Sequence, residues 1–329
     1  MVFFANLADA IAYNAKRQPD HPALIEGSRT VDYGSLYCSI VQTANHLTAL
    51  GLGQGDIVGV SMGDTVDHII VMLGVVRLGA ILLPMDCRWT VEEGQRVTSF
   101  FGAKACIVDD AESIFPETET HIVSEPWHEA VEASLPEGTF PSDQDAPVWV
   151  SLSSGTTGVP KGPILTHRQM ALRFLSQCVT MGFNQSDRNI LATPLYFGGG
   201  RGFTVSYLTL GATVVMYPPP YKPEELVQAV ADHGITTLFL VPTLLRRLLD
   251  LPRGEGPKFP NLRLLISSGS LLYPEERARI LTDLSPNFVN IYSSTEGGAV
   301  SILLADAPEA HLGSVGRAAY GTEFEVVDE

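Results

Sequence analysis

A loop of glycines and hydroxyl-bearing residues lies near the middle of the 329-residue chain, from Ser153 to Gly162. Its sequence is Ser-Ser-Gly-Thr-Thr-Gly-Val-Pro-Lys-Gly, so Lys161 brings a positive charge close to several backbone N–H groups and hydroxyls. Groups at such close spacing can bind the oxygens of a polyphosphate. The loop is not a P-loop, because Pro160 stands where that motif has its second glycine. From the residues alone, a phosphate-binding loop and a flexible linker are equally favoured.

The segments around this loop indicate how the fold positions it. Residues 148–152 are apolar except for Ser151 and predict a strand, and residues 167–175 predict a helix. The same alternation recurs elsewhere: a predicted helix over 66–78 precedes a short strand, and a helix with Pro223 in its first turn precedes an apolar strand. The last of these strands covers residues 235–241, and two further strands are predicted over residues 262–266 and 288–292.

Strands that are apolar on both faces and alternate with helices are typical of parallel sheets covered on both sides. We therefore expect an α/β fold with two parallel-sheet βαβ subdomains packed together, followed by the start of a β-barrel-like subdomain. The predicted limits are residues 1–148, 149–310 and 311–329. Residues 112–145 are rich in Pro, Glu, Ser and Asp and predict a surface connection, whereas 324–327 predict a new β segment.

Composition excludes several classes of protein. The net charge of −16 disfavours nucleic acid or an anionic membrane surface as the main partner. The N-terminus lacks the basic region of a signal peptide, and no run approaches about 20 apolar residues, so no membrane span is expected. The four cysteines lie far apart and predict buried thiols in a reducing compartment, the cytoplasm. They are Cys38, Cys87, Cys106 and Cys178.

Three further motifs follow the loop, and each has a structural alternative. The motifs are Thr166-His167, Ser267-Ser268-Gly269-Ser270 and Tyr292-Ser293-Ser294-Thr295-Glu296. From the residues alone, a capping or packing role for His167 is as favoured as a role in the site. Tyr292 could be a core aromatic, and Glu296 could be an acid at the start of a helix. A dinucleotide-binding turn at residues 198–203 is disfavoured, because Phe203 breaks the Gly-x-Gly-x-x-Gly pattern.

In order and spacing, the four motifs together resemble those of the AMP-binding, adenylate-forming superfamily. That superfamily includes acyl-CoA and aryl-CoA synthetases, luciferase-like enzymes and the adenylation domains of peptide synthetases. Residues 153–162 resemble its phosphate loop, and residues 292–296 are similar to its usual Tyr-Gly-x-Thr-Glu. The resemblance covers essentially the whole chain.

The resemblance implies a role for each matching residue. ATP and Mg²⁺ are the implied cofactors, with Lys161, Thr295 and Glu296 as catalytic residues and Glu296 as the metal ligand. The implied phosphate-binding residues are Ser153, Ser154, Gly155, Thr156, Thr157, Gly158 and Lys161. Those implied for the adenine and the α-phosphate are Ser268, Gly269, Ser270, Tyr292, Ser293, Ser294 and Thr295. The implied substrate-pocket residues are Phe197, Gly200 and Gly297.

The chain also departs from the family pattern. Phe197 replaces the histidine that many acyl-CoA synthetases have in Pro-Leu-Phe-His, and the Phe-Asp pair of amino-acid-activating domains is absent. Ser293 replaces the usual glycine. The chain stops before the family's Thr-Gly-Asp motif, hinge and C-terminal domain, whose lysine assists adenylation. We therefore expect these 329 residues alone to bind ATP or AMP weakly and to form thioesters inefficiently.

The predicted function is ATP-dependent activation of a carboxylic acid through an acyl-adenylate, by the large domain of an AMP-producing acyl- or aryl-CoA ligase. The expected partners are a carboxylic acid and the thiol of coenzyme A or a carrier protein, and a homodimer is left open. Two alternatives remain: a short, non-catalytic nucleotide-binding paralogue, and an adenylation domain that loads a carrier protein.

Overall fold

The computed structural model describes residues 4–152, 161–308, 311, 313–325 and 327. Two compact units divide the chain, Met1–Leu172 and Arg173–Glu329. The division falls within helix α6 (His167–Met181), not at the predicted subdomain limit of residue 148. The strand at that limit, Pro147–Val150, pairs with strands of the first unit on both sides.

The first unit contains one mostly parallel sheet, a hairpin and five helices before α6. Its helices are α1 (Ala8–Arg17), α2 (Tyr33–Ala49), α3 (Val66–Leu78), α4 (Val91–Phe101) and α5 (Glu125–Glu132). Its strands are β1 (Pro22–Glu26), β2 (Arg29–Asp32), β3 (Ile57–Ser61), β4 (Ile81–Pro84), β5 (Ala105–Val108), β6 (Glu119–Ile122), β7 (Pro147–Val150) and β8 (Ile164–Thr166). The sheet order is β6-β5-β3-β4-β7-β8, and only β7 and β8 pair antiparallel.

The second unit repeats this plan with a longer sheet. Its helices are α7 (Gly198–Leu210), α8 (Pro223–Asp232), α9 (Pro242–Leu249) and α10 (Pro274–Arg279), which continues as a π-helix over Ile280–Leu284. Its strands are β9 (Arg188–Leu191), β10 (Thr213–Met216), β11 (Thr237–Leu240), β12 (Leu264–Ser267), β13 (Phe288–Ser294), β14 (Gly298–Leu303) and β15 (Arg317–Ala318). They lie in the order β10-β9-β11-β12-β13-β14-β15, parallel as far as β13 and antiparallel beyond it.

Local sequence explains the clearest elements. Helix α3 begins where the Thr65 hydroxyl accepts the His68 N–H and ends at Gly79, whose φ of 81° is left-handed. It is apolar nearly all round because almost all of its residues are buried. Helix α8 has Pro223 in its first turn, as predicted. The predicted α/β class with two parallel sheets is confirmed.

Two expectations about irregular segments are wrong. Residues 112–145 are not only a surface connection, because they contain β6, which adds to the sheet beside β5, and α5, which buries Trp127 and Val131. Residues 324 and 325 are not in a strand, and Val326 lies outside the described residues. Within residues 311–329 the structure has one short strand, β15, which pairs with β14, and the described strands form no closed barrel. None of the helices in the described residues is long and apolar enough to cross a membrane.

Candidate active site

The candidate site in the second unit lies at the carboxyl ends of its parallel strands. Strand β9 leads through α7 to β10 on one side, and β11 pairs with the other side of β9. Open α/β sheets bind ligands in the crevice outside such a reversal of strand order. The loops that follow β9, β12 and β13 carry Phe197, Ser268–Ser270 and Thr295–Glu296 respectively. Sheet topology therefore brings most of the predicted site residues of this unit to one edge.

Phe197 forms an aromatic wall at this edge. Its side chain is 37% exposed. A Cβ atom at Gly269 would lie 3.5 Å from Cζ of Phe197, and one at Gly199 would lie 3.2 Å from the same ring. The Gly199 Cβ would also lie 2.6 Å from the Phe239 ring, so a side chain there would collide. The Phe197 ring thus lies close to two glycines, and one of them, Gly269, belongs to the predicted adenine loop.

A pair of serine hydroxyls joins the two predicted nucleotide motifs. Oγ of Ser268, which follows β12, lies 2.7 Å from Oγ of Ser293 in β13. Below them, the Asn290 amide donates to the Ser267 carbonyl over 3.0 Å. Gly269 continues the loop with a φ of 107°, a backbone conformation that residues with a Cβ atom rarely adopt. Ser293 therefore does more than replace the usual glycine, because its hydroxyl connects strand β13 to the loop after β12.

The Tyr292–Glu296 motif forms one strand and the turn of an antiparallel hairpin. Tyr292 is 56% exposed, so it is not a core aromatic. Glu296 is exposed in the turn between β13 and β14, and no helix begins there. The Ser294 hydroxyl closes the turn by accepting the Gly297 N–H over 2.8 Å. The structure excludes the two structural alternatives for these residues.

Arg173 supports this turn, although no sequence motif indicated it. Its Nη2 donates to the backbone carbonyl of Thr295 over 3.2 Å and also to that of Glu296. Its stem packs under Gly298, where an added Cβ would lie 3.2 Å from Nε. Burial lowers the pKa of Arg173, and the Glu296 carboxylate opposes that effect. The contacts are with backbone atoms more than a hundred residues away, which a residue pattern does not record.

The exposed Glu296 carboxylate fits a magnesium ion bound together with a nucleotide. Mg²⁺ prefers oxygen ligands and usually takes one or two carboxylates plus waters and phosphate oxygens. Across the described ranges, no group of three or more His, Cys, Asp or Glu side chains is arranged to hold a metal. Glu296 would thus supply one protein ligand, and phosphates and water the others.

In the first unit, the predicted phosphate loop lies mainly outside the described residues. This applies to Ser153, Ser154, Gly155, Thr156, Thr157 and Gly158. Its two ends are held by the antiparallel strands β7 and β8, since the Ser151 N–H donates to the Pro163 carbonyl over 2.9 Å. A Cβ at Gly162 would lie 2.8 Å from the Ser151 carbonyl oxygen, so only glycine fits this approach. Lys161 is exposed beside it.

His167 has a structural role in the first unit. Only 2% of the residue is exposed, and its Nδ1 accepts the Leu7 N–H over 3.1 Å. The proton of the neutral ring must therefore sit on Nε2. Burial lowers the pKa of His167 to about 4. Of the two interpretations left open by the sequence, the structure supports packing.

The three predicted pocket residues differ in their placement. Phe197 and Gly297 are exposed at the carboxyl edge of the sheet, whereas Gly200 is buried behind it. A Cβ at Gly200 would lie 2.3 Å from the carbonyl oxygens of both Thr193 and Pro194. Gly200 thus allows the first turn of α7 to pack against the loop that carries Phe197.

Comparisons with known proteins relate the chain to one enzyme family. A family described as AMP-binding enzyme matches residues 11–329. The fatty acid–[acyl-carrier-protein] ligase ScoC of Streptomyces coeruleorubidus is 28% identical over 326 residues, 95% of this chain and 63% of that protein. A 3-hydroxybenzoate–CoA ligase of Aromatoleum sp. (strain CIB) is 27% identical over 335 residues, 94% of this chain and 62% of that protein. The chain spans about three fifths of the length of these relatives.

A solved structure has the same fold. The N-terminal subdomain of Klebsiella oxytoca NpsA, in complex with 3-hydroxyanthranilyl-AMSN, superposes with a TM-score of 0.83 at 23% identity. The match covers 96% of this chain and 79% of that one. At this identity the similarity establishes the fold, and the family match over residues 11–329 establishes the relationship. The chain therefore belongs to the family of AMP-binding enzymes.

Proposed function

We propose that the chain is the large nucleotide-binding part of an adenylate-forming acid–thiol ligase, which uses ATP to activate a carboxylic acid as an acyl-adenylate. The observation that carries the proposal is the closeness of Phe197 to Gly269, where an added Cβ would lie 3.5 Å from Cζ of the ring. The proposed wall of the acid site is therefore a neighbour of the proposed adenine loop. An acid held at Phe197 would have its carboxylate close to a nucleotide held by Ser268–Ser270.

Each part of the nucleotide has proposed partners in the chain. Ser268, Gly269, Ser270 and Tyr292 would hold the adenine, and Ser293 would hold the adenine loop in place. Ser294 and Thr295 would bind the α-phosphate, and Glu296 a magnesium ion. Ser153, Ser154, Gly155, Thr156, Thr157, Gly158 and Lys161 would hold the β- and γ-phosphates.

The chemistry needs orientation and charge compensation, not a general base. A carboxylic acid is already ionised at neutral pH, so one of its oxygens can attack the α-phosphorus directly. A bond forms between that oxygen and phosphorus, and the bond to the bridging oxygen of the leaving pyrophosphate breaks. Bound magnesium offsets charge on the phosphate oxygens. Thr295 and Lys161 would donate to the α-phosphate and to the departing pyrophosphate, respectively.

For the acid and the thiol acceptor, we propose only the chemical class. The exposed Phe197 ring and the buried Phe239 ring both lie close to Gly199, so this edge of the sheet has an apolar aromatic character, which favours an acyl or aryl acid over a charged amino acid. The acceptor is coenzyme A or the thiol of a carrier protein. We place the reaction in the cytoplasm, since Cys38, Cys87, Cys106 and Cys178 are free thiols.

Acid-dependent exchange of labelled pyrophosphate into ATP tests this proposal. The protein encoded by the whole reading frame is incubated with Mg²⁺, ATP and a panel containing benzoate, 3-hydroxybenzoate, octanoate and dodecanoate. We expect exchange with at least one acid and a loss of about 100-fold in Glu296→Gln. Glu275→Gln is the matched control, because Glu275 is an exposed carboxylate in the first turn of α10 and is given no role in binding magnesium or nucleotide. AMP binding without exchange for any acid would instead favour the non-catalytic nucleotide-binding alternative.

A further inference from the structure

Arg201 is a buried cation in an unfavourable position. It lies in the first turn of α7, where the helix dipole is positive, and only 2% of the residue is exposed. Burial lowers the pKa of its guanidinium to about 10, so the side chain is still charged at neutral pH. Removing a charge from water is costly unless strong hydrogen bonds offset the loss of hydration. Such a side chain calls for an explanation in terms of what it holds.

Arg201 contacts three consecutive carbonyl groups of the loop after β9. Its Nη1 donates to the carbonyl oxygens of Leu195 over 3.0 Å and Tyr196 over 3.1 Å. Its backbone N–H donates to the carbonyl oxygen of Phe197 over 3.0 Å. The guanidinium therefore holds the Leu195 and Tyr196 carbonyls, which directly precede Phe197, whereas the bond to the Phe197 carbonyl is a main-chain bond of helix α7.

The third of these groups belongs to the aromatic wall. The loop from residue 194 to 197 has little other freedom, because the Phe197 N–H donates to the Pro194 carbonyl over 3.1 Å. Because Gly200 has no side chain, the first turn of α7 also packs closely against the same loop. A change in the Leu195 or Tyr196 peptide planes would therefore be passed directly to the Cα of Phe197. Its ring would then move relative to Gly269.

We propose that Arg201 is a positioning residue, which sets the place of the Phe197 ring and thereby the shape of the acid subsite. That the ring borders an acid subsite rests on the proposed function. That Arg201 places the ring rests only on the contacts of this loop. The two parts can be tested separately.

Fluorine NMR tests the placement without any enzymatic activity. 4-Fluorophenylalanine is incorporated at position 197 of the 329-residue chain, and the spectrum is compared among Arg201→Met, Arg201→Lys and the unsubstituted chain. Arg201→Met removes the donors, and Arg201→Lys keeps the charge without the planar fork. We expect the resonance to shift or split in both variants. An unchanged resonance in a folded variant overturns the proposal.

Arg277→Lys is the matched control for this experiment. Arg277 is also buried in the second unit, with 4% exposed, and its Nη1 donates to the Ser314 carbonyl over 2.7 Å. Its substitution should lower stability in a similar way. The Phe197 resonance should nevertheless keep its position, because Arg277 contacts a different segment. A shift of equal size in this control would mean that the resonance reports general loosening, and would contradict the proposal.

A double-mutant cycle then tests the effect on the acid subsite. With the best acid of the panel, Arg201→Lys should raise the KM for the acid about tenfold or more and leave the KM for ATP within about twofold. In a Phe197→Ala background the same substitution should have no further effect on the acid KM, since Arg201 acts through Phe197. Additive effects overturn the proposal. Absence of exchange in the unsubstituted protein counts against the proposed function alone, and the NMR result still decides the role of Arg201.

Discussion

Removing the guanidinium of Arg173 should weaken nucleotide binding, although Arg173 is not predicted to touch the nucleotide. Arg173→Met keeps part of the apolar stem under Gly298 and removes the donor to the carbonyls of Thr295 and Glu296. The turn that presents the Thr295 hydroxyl and the Glu296 carboxylate would then sample other conformations. Only the fraction of molecules with the correct turn would bind nucleotide tightly.

The size of the effect follows from the two hydrogen bonds. A bond from a charged donor contributes about 1.5–3 kcal/mol when buried. Arg173 is only partly buried, so water replaces some of this, and we take about 2 kcal/mol for both bonds together. At 1.4 kcal/mol per factor of ten, the dissociation constant for AMP should rise by roughly 30-fold.

Isothermal titration calorimetry with AMP measures this constant, and circular dichroism confirms that each variant is folded. Arg168→Met is the matched control: Arg168 is on the same helix, but its guanidinium pairs with Asp145 over 2.6 Å. We expect AMP affinity within about twofold of the unsubstituted chain for this control. A folded Arg173→Met variant with unchanged AMP affinity would refute the positioning role.

Three further predictions concern residues that hold the site or its frame. Burial lowers the pKa of His167 from 6.5 to about 4, so protonation of this residue should not affect the free energy of unfolding above pH 6.5. Below that pH, the free energy of unfolding should fall by up to about 3 kcal/mol towards pH 4. Urea titrations should show a smaller loss in His167→Asn. Gly200→Ala should lower the free energy of unfolding by about 2 kcal/mol or more, whereas Gly202→Ala in the same helix, with nothing within 4 Å of the new Cβ, should be neutral or stabilising. Ser268→Ala and Ser293→Gly should each weaken AMP binding about fivefold and show a coupling of about 1 kcal/mol in a double-mutant cycle; strictly additive effects would show that the hydroxyl pair contributes nothing.

The elements that sequence predicted best are those with both a repeating apolar pattern and a clear stop signal. Helix α3 ends at Leu78, as predicted, because Gly79 takes a left-handed conformation that no other residue adopts easily. Strand β11 (Thr237–Leu240) is shorter than the predicted 235–241, because Val241 is already the N-cap of α9 and Ile235, although apolar and buried, lies before the strand. The sequence did not predict helix α5, because the helix is short and buries only two residues, Trp127 and Val131. Two apolar positions are too few to indicate a helical repeat.

The site was predictable only where its residues form a compact motif. Tyr292–Glu296 was identified from its spacing, and the structure shows its side chains accessible in a hairpin rather than packed in the core. The residues that hold the motifs, Arg173 and Arg201, were not identified, because each binds backbone carbonyls and any sequence supplies those. The Ser268–Ser293 contact depends on which strands are neighbours, which single-sequence patterns leave open.

The most direct test of the central claim follows an oxygen atom from the acid to the nucleotide. A carboxylic acid of the panel, labelled with oxygen-18 in its carboxylate, is incubated with the protein, Mg²⁺, ATP and coenzyme A, and the AMP is analysed by mass spectrometry. If a carboxylate oxygen attacks the α-phosphorus, AMP carries one labelled oxygen when the acyl group leaves. Unlabelled AMP, or label found in inorganic phosphate beside ADP, would contradict an acyl-adenylate and thus the proposed function.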